Sequence, residues 1–127
     1  MVTKPGLAEF GEAMQRMLAR LTSATRDAGI DAPSFYNFAF TDGDNIVATR
    51  YVDNPGYSPE TLYTSTGERF AVVDARYRMQ TAVGRPRALI VASEPLTDTA
   101  ADWQPVPHNH LLLITPDLRI EQRAINV

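Results

Sequence analysis

The sequence predicts an α+β protein, with one N-terminal helix followed by a mainly antiparallel sheet. Two observations predict it. The hydrophobic period changes once, from three-and-four spacing before Gly29 to short extended runs after Pro33. Those runs are separated by strong turn signals: Asp42-Gly43-Asp44-Asn45, Asn54-Pro55-Gly56 and Pro116-Asp117. The 127 residues suffice for one core, and no repeat or linker divides them, so residues 1–127 are expected to form a single domain.

Residues 7–28 carry the helix. Phe10, Met14, Met17, Leu21, Ala24 and Ala28 recur at helical spacing and predict the buried stripe. Glu9 and Glu12 lie early and Arg20 and Arg26 late, as the helix dipole prefers. Pro5-Gly6 precedes the helix and Gly29 is placed to stop it. Next comes a β-hairpin: the aromatic run 35–40, the DGDN turn, and the β-branched run 46–52. Residues 53–59 read as a loop, 61–65 and 69–73 as short strands, and 77–81 as either strand or turn. The apolar run 88–92 predicts a strand buried on both faces. A polar loop at 97–104 carries Trp103, the sole tryptophan, and strands at 111–115 and 118–125 close the chain as a hairpin.

One helix is about 10 Å across, roughly two strand spacings, so it covers only part of such a sheet. An apolar face waiting for a partner is therefore expected.

Composition narrows the chemistry. With 44% hydrophobic and 21% charged residues the chain has a globular balance rather than a disordered one. A net charge of −3, with no basic run beyond Arg85 and Arg87, argues against nucleic-acid binding. Zero cysteines exclude disulfides, thiolate metal sites and a cysteine nucleophile within this sequence. The first ten residues show no apolar signal segment, and no apolar run is long enough to cross a bilayer, so a cytoplasmic protein without membrane contact is expected.

Few motifs carry chemistry. No phosphate loop, zinc-ligand spacing or nucleophile elbow is present. On a strand, His108 and His110 would share a face about 7 Å apart, but no third metal ligand accompanies them. Ser93, His110 and Asp102 form a triad on paper only. Glu94 follows the apolar run 88–92 and precedes Pro95. A carboxylate at the mouth of a buried strand needs a partner, so backbone N–H groups or a cation, Arg50 or Arg78, are expected beside it.

Four segments then point to one family: residues 37–50 (NFAFTDGDNIVATR), Tyr77-Arg78-Met79, residues 92–97 (ASEPLT), and Trp103 with residues 106–110 (VPHNH). In order and spacing, from about residue 8 onward, they resemble the C-terminal half of class II glutamine amidotransferases, closest to the branch linked to glutathione degradation. Leu62-Tyr63 fits the same branch. The resemblance implies part of a four-layer α/β/β/α sandwich of the N-terminal-nucleophile hydrolases. In that family an N-terminal cysteine attacks the γ-amide of glutamine or a γ-glutamyl bond, with its own α-amine as base. That cysteine, the oxyanion hole and the residues that hold the substrate's α-groups all belong to the upstream half.

None of these has a counterpart here. Val2 offers no nucleophilic atom, and Thr3 would serve only after trimming of two residues. The chain alone is expected to have no catalytic residue. Asn37, Arg50, Ser93, Glu94, Asn109 and His110 match family positions and are the substrate-pocket candidates. No metal or organic cofactor is implied. The expected partners are a second copy or a separate catalytic half, with glutamine or a γ-glutamyl compound as ligand.

Overall fold

A computed structural model describes residues 6–127. Val2, Thr3 and Pro5, on which the expectations about the chain start rest, lie outside the described residues. The helix α1 spans Leu7–Asp27. Ten strands follow: β1 (Phe35–Tyr36), β2 (Ala39–Thr41), β3 (Ile46–Val52), β4 (Tyr63–Gly67), β5 (Arg69–Val73), β6 (Arg76–Gln80), β7 (Ala88–Ala92), β8 (Gln104–Pro105), β9 (His110–Ile114) and β10 (Ile120–Ala124). Every strand pair is antiparallel, and the α+β class holds. No described helix is long and apolar enough to cross a membrane.

The first sheet runs β1-β3-β9-β10, with β2 also on β3. The hairpin of β2 and β3 forms as expected. Its turn is closed by Asp42, whose N–H reaches the carbonyl of Asn45 and whose Oδ1 accepts from the N–H groups of Asp44 and Asn45. Strand β9 lies at the centre and is buried on both faces. Leu111 and Leu113 join Met14, Leu18, Val47 and Tyr51 on the helix side. Leu112 and Ile114 join Leu62, Val106 and Ala48 on the other, with Leu89 and Val91 packed against them from the second sheet. The layers thus run helix, sheet, sheet.

The helix is rotated from its expected pose. Its most buried residues are Gly11, Met14, Leu18 and Thr22. Phe10, Met17 and Leu21 are only partly buried on one flank, while Ala24 and Ala28 are exposed. The cause is local: at Gly11 the helix comes so close to β9 that an added Cβ would lie 2.8 Å from Leu113 Cδ2. Glycine at this position is a packing device, invisible to a hydrophobicity count.

The second sheet runs β7-β4-β8. The β4–β7 pairing ends at Gly67 opposite Ala88, and the β5–β6 pairing begins at Arg69 opposite Gln80. The four strands are therefore one long bent ribbon with residues 81–87 looped out. At the bend the N–H of Arg87 donates to the carbonyl of Gly67 and that of Glu68 to the carbonyl of Gln80. Residues 76–80 resolve as strand.

Two expectations need correction. The apolar run of β7 is half-buried along its whole length, because β7 is an edge strand rather than a central one. His108 precedes β9, and Asn109 between the two histidines takes the left-handed region at φ 54°. The two imidazoles therefore do not share a strand face; His110 Nδ1 lies 2.8 Å from the carbonyl oxygen of His108 instead.

Candidate functional site

Register places Arg50 opposite His110 across β3 and β9, on the same face as Ala48 and Leu112. This face looks toward the second sheet, and alternation puts Asn37 on it too. Both side chains hold the segment 59–61. Asn37 Nδ2 donates to the carbonyls of Glu60 (3.0 Å) and Thr61 (3.1 Å). Arg50 Nε donates to the same Glu60 carbonyl at 2.8 Å, and its terminal nitrogens reach the carbonyls of Val106 and Pro59. Thr61 Oγ1 donates to the carbonyl of Ser93 at 2.7 Å, tying the end of β7 to the same place.

These bonds build a shallow pocket of about 230 Å³ lined by Asn37, Glu60, Thr61, Ser93 and Glu94. Three of the six expected residues, Asn37, Ser93 and Glu94, share its wall. Arg50 lies behind it, buried and one carbonyl away. His110 is Arg50's neighbour across the strands. Asn109 is turned elsewhere: its Oδ1 accepts from the N–H of Val52 at 3.1 Å and its carbonyl from the N–H of Ile125. It fastens the start of β9, and its left-handed backbone suits asparagine. Glu60 and Thr61 are not among the expected pocket residues; the strand expected at 61–65 begins only at Tyr63, which leaves Thr61 in the loop.

Glu94 is exposed and makes no hydrogen bond or ion pair with a described residue. The expected partners are committed elsewhere, Arg50 to carbonyls and Arg78 to Asp102. Because β7 is an edge strand, the carboxylate reaches water and needs no partner. Glu94, the Glu60 carboxylate and the Ser93 hydroxyl are thus the free polar groups of the wall.

Asp102 cannot join Ser93 and His110. Its two oxygens accept from Arg78 Nε (2.8 Å) and Nη2 (3.1 Å), and Oδ2 also accepts from the N–H of Met79. The Asp102 side chain is only 7% exposed, and the Arg78 hydrogen bonds hold its carboxyl below the ordinary aspartate value of 3.8. A depressed folded-state pKa contributes stability that is complete above 3.8 and is lost as pH falls through the lower folded value. Asp102→Asn is therefore expected to flatten the acid limb of a stability–pH curve below about pH 4. Urea midpoints from pH 2.5 to 7 would check this; an unchanged acid limb counts against the pair. Among the described residues no group of three or more histidine, aspartate or glutamate side chains is arranged to hold a metal.

No family model matches the chain, and no solved structure matches it significantly. A curated relative does: probable glutamine amidotransferase DUG3 of Saccharomyces cerevisiae (strain ATCC 204508 / S288c), 34% identical over 114 residues. The match takes in 86% of this chain and 32% of the relative, so the chain spans about a third of that protein's length. Over the stretch matched, the chain is similar to a glutamine amidotransferase, the family to which the four motif segments point.

Proposed function

We propose that this chain is the C-terminal portion of a class II glutamine amidotransferase-like domain, one that supplies scaffold and pocket wall while another segment or chain supplies the nucleophile. The family activity would be hydrolysis of the γ-amide of glutamine or of a γ-glutamyl bond. The observation that carries the reading is the 34% identity to a glutamine amidotransferase in a sequence with no cysteine. The hydrogen bonding agrees with a scaffold role, because Asn37, Arg50 and Asn109 spend their polar atoms on the chain's own backbone. In this reading residues 1–127 act as one domain in the cytoplasm.

A second reading, a stand-alone noncatalytic relative that binds a small molecule, draws on the free Glu94 carboxylate and Ser93 hydroxyl. A carboxylate in a shallow polar pocket suits the α-ammonium group of an amino acid.

The purified chain is expected to release no glutamate from glutamine or from a γ-glutamyl dipeptide. Without an activated nucleophile the rate falls by several orders of magnitude. Turnover of even about 0.1 s⁻¹, roughly 1% of a typical enzyme's rate, would overturn the reading. Calorimetric titration with glutamine addresses the second reading: binding that Glu94→Gln abolishes would favour it over the first.

A further inference from the structure

We propose that the outer flank of α1 is a docking groove for an amphipathic helix bearing carboxylates along one margin. The groove, about 530 Å³, is lined by Ala13, Met17, Leu21 and Ala24, with Arg16 and Arg20 on its solvent side. At about 100° per residue its line of apolar groups lies about 100° from the face that meets the sheet. It is thus a second apolar stripe, separate from the buried one.

Which way it faces follows from the hydrogen bonds. Gln15 is on the opposite flank, and its Oε1 accepts from the N–H of Asn126, just past β10. The flank of Phe10, Met17 and Leu21 therefore turns toward the other margin of the sheet, where β1 and β2 lie. That margin is aromatic. Tyr36, Phe38 and Phe40 follow one another on the helix side at 5.9 and 5.7 Å between ring centroids, and Phe40 is 40% exposed. Phe38 packs on the same core as Phe10, Met17 and Leu21. Helix flank and strand margin form an apolar step. A helix fits such a step, because one helix diameter of about 10 Å spans it without exposing backbone groups.

Charge decides between occupants. Arg16 and Arg20 are exposed and pair with no described residue. A second copy packed antiparallel about Met17 would match sizes well, Phe10 against Ala24 and Ala13 against Leu21. It would also line four guanidinium groups along one seam, and like charges in register oppose association. A helix with Glu or Asp at i, i+4 spacing beside its apolar stripe satisfies both stripe and margin. The proposal deepens the functional reading above, in which the segment carrying the nucleophile would also bring this helix.

The test uses two labelled peptides of about 18 residues, each with a Leu/Ala stripe at helical spacing, one with a Glu margin and one with a Lys margin. Fluorescence anisotropy with the whole chain is expected to show the Glu peptide binding about tenfold tighter or better. Higher salt should narrow that gap, and Arg16→Glu with Arg20→Glu should reverse it. Met17→Asp should abolish binding of both. Equal binding of the two peptides, or none, overturns the proposal. So does a sedimenting dimer that Met17→Asp dissociates, because a second copy would then hold the groove. Glutamate release by the chain alone would instead remove the functional reading and leave the groove measurement standing.

Discussion

Gly67→Ala is expected to destabilise the protein by about 3 kcal/mol, a large effect for one methyl group. Gly67 does not occupy the left-handed region, so the cost does not come from its backbone angles. It comes from contact. A Cβ at this position would lie 2.1 Å from the carbonyl oxygen of Gln80, 2.7 Å from Met79 Cγ and 2.9 Å from its Sδ. A methionine side chain can move aside, but the carbonyl cannot move freely. It accepts the N–H of Glu68 at 2.7 Å, one of the two bonds that hold the ribbon together where its register jumps. Overpacking costs about 1–3 kcal/mol and the strained hydrogen bond adds roughly 1 kcal/mol. Urea denaturation would measure the loss. Met79→Ala should not rescue Gly67→Ala, because the nearest atom is backbone; full rescue would show that the side chain was the obstacle.

The bend at Gly67 also marks the limit of what the sequence makes legible. Strong local signals survived. The DGDN turn closed its hairpin because Asp42 bonds within the turn, and β9 is buried on both faces because four successive aliphatic residues have no polar alternative. The register jump is not legible, since pairing between residues distant in sequence, such as Gly67 with Ala88 and Arg69 with Gln80, sets it. The helix packs one flank away from the stripe its hydrophobic spacing predicts. Phe10, Met17 and Leu21 signal hydrophobicity strongly, whereas Gly11 and Thr22, which meet the sheet, do not. For β7 the composition of an edge strand with half-buried faces is the same as that of a central one. Glu94 follows suit, because the partner it is expected to need presupposes burial that an edge strand does not give. The motif segments single out Asn37, Arg50, Ser93, Glu94, Asn109 and His110 together, but not which of them bond within the chain. Asn37, Arg50 and Asn109 carry atoms that suit a ligand, and the structure spends them on carbonyls and N–H groups of its own chain.

Arg50→Met should show that division most directly, with an expected loss of about 2–4 kcal/mol. Arg50 is 7% exposed and lies between the two sheets with no carboxylate beside it. Its charge is balanced instead by carbonyl dipoles of Pro59, Glu60 and Val106. Methionine keeps much of the stem's packing and removes the donors, so the carbonyls of Pro59 and Val106 lose their Arg50 bonds while that of Glu60 keeps only the one from Asn37 Nδ2. The gain from no longer burying a charge offsets part of this loss, which is why the estimate stays below the sum of three charged hydrogen bonds. Arg50→Lys is expected to recover less than about half, because a single ammonium cannot reach carbonyls on both sides as a planar guanidinium does. Asn37 shares the Glu60 carbonyl, so Asn37→Ala and Arg50→Met should couple by about 0.5 kcal/mol or more in a double-mutant cycle. Strict additivity would mean that the two do not hold segment 59–61 jointly. Loss of the segment moves the pocket wall with it, since Thr61 is the link to Ser93. A stability cost for Arg50→Met below about 1 kcal/mol would return Arg50 to the list of residues kept free for a ligand.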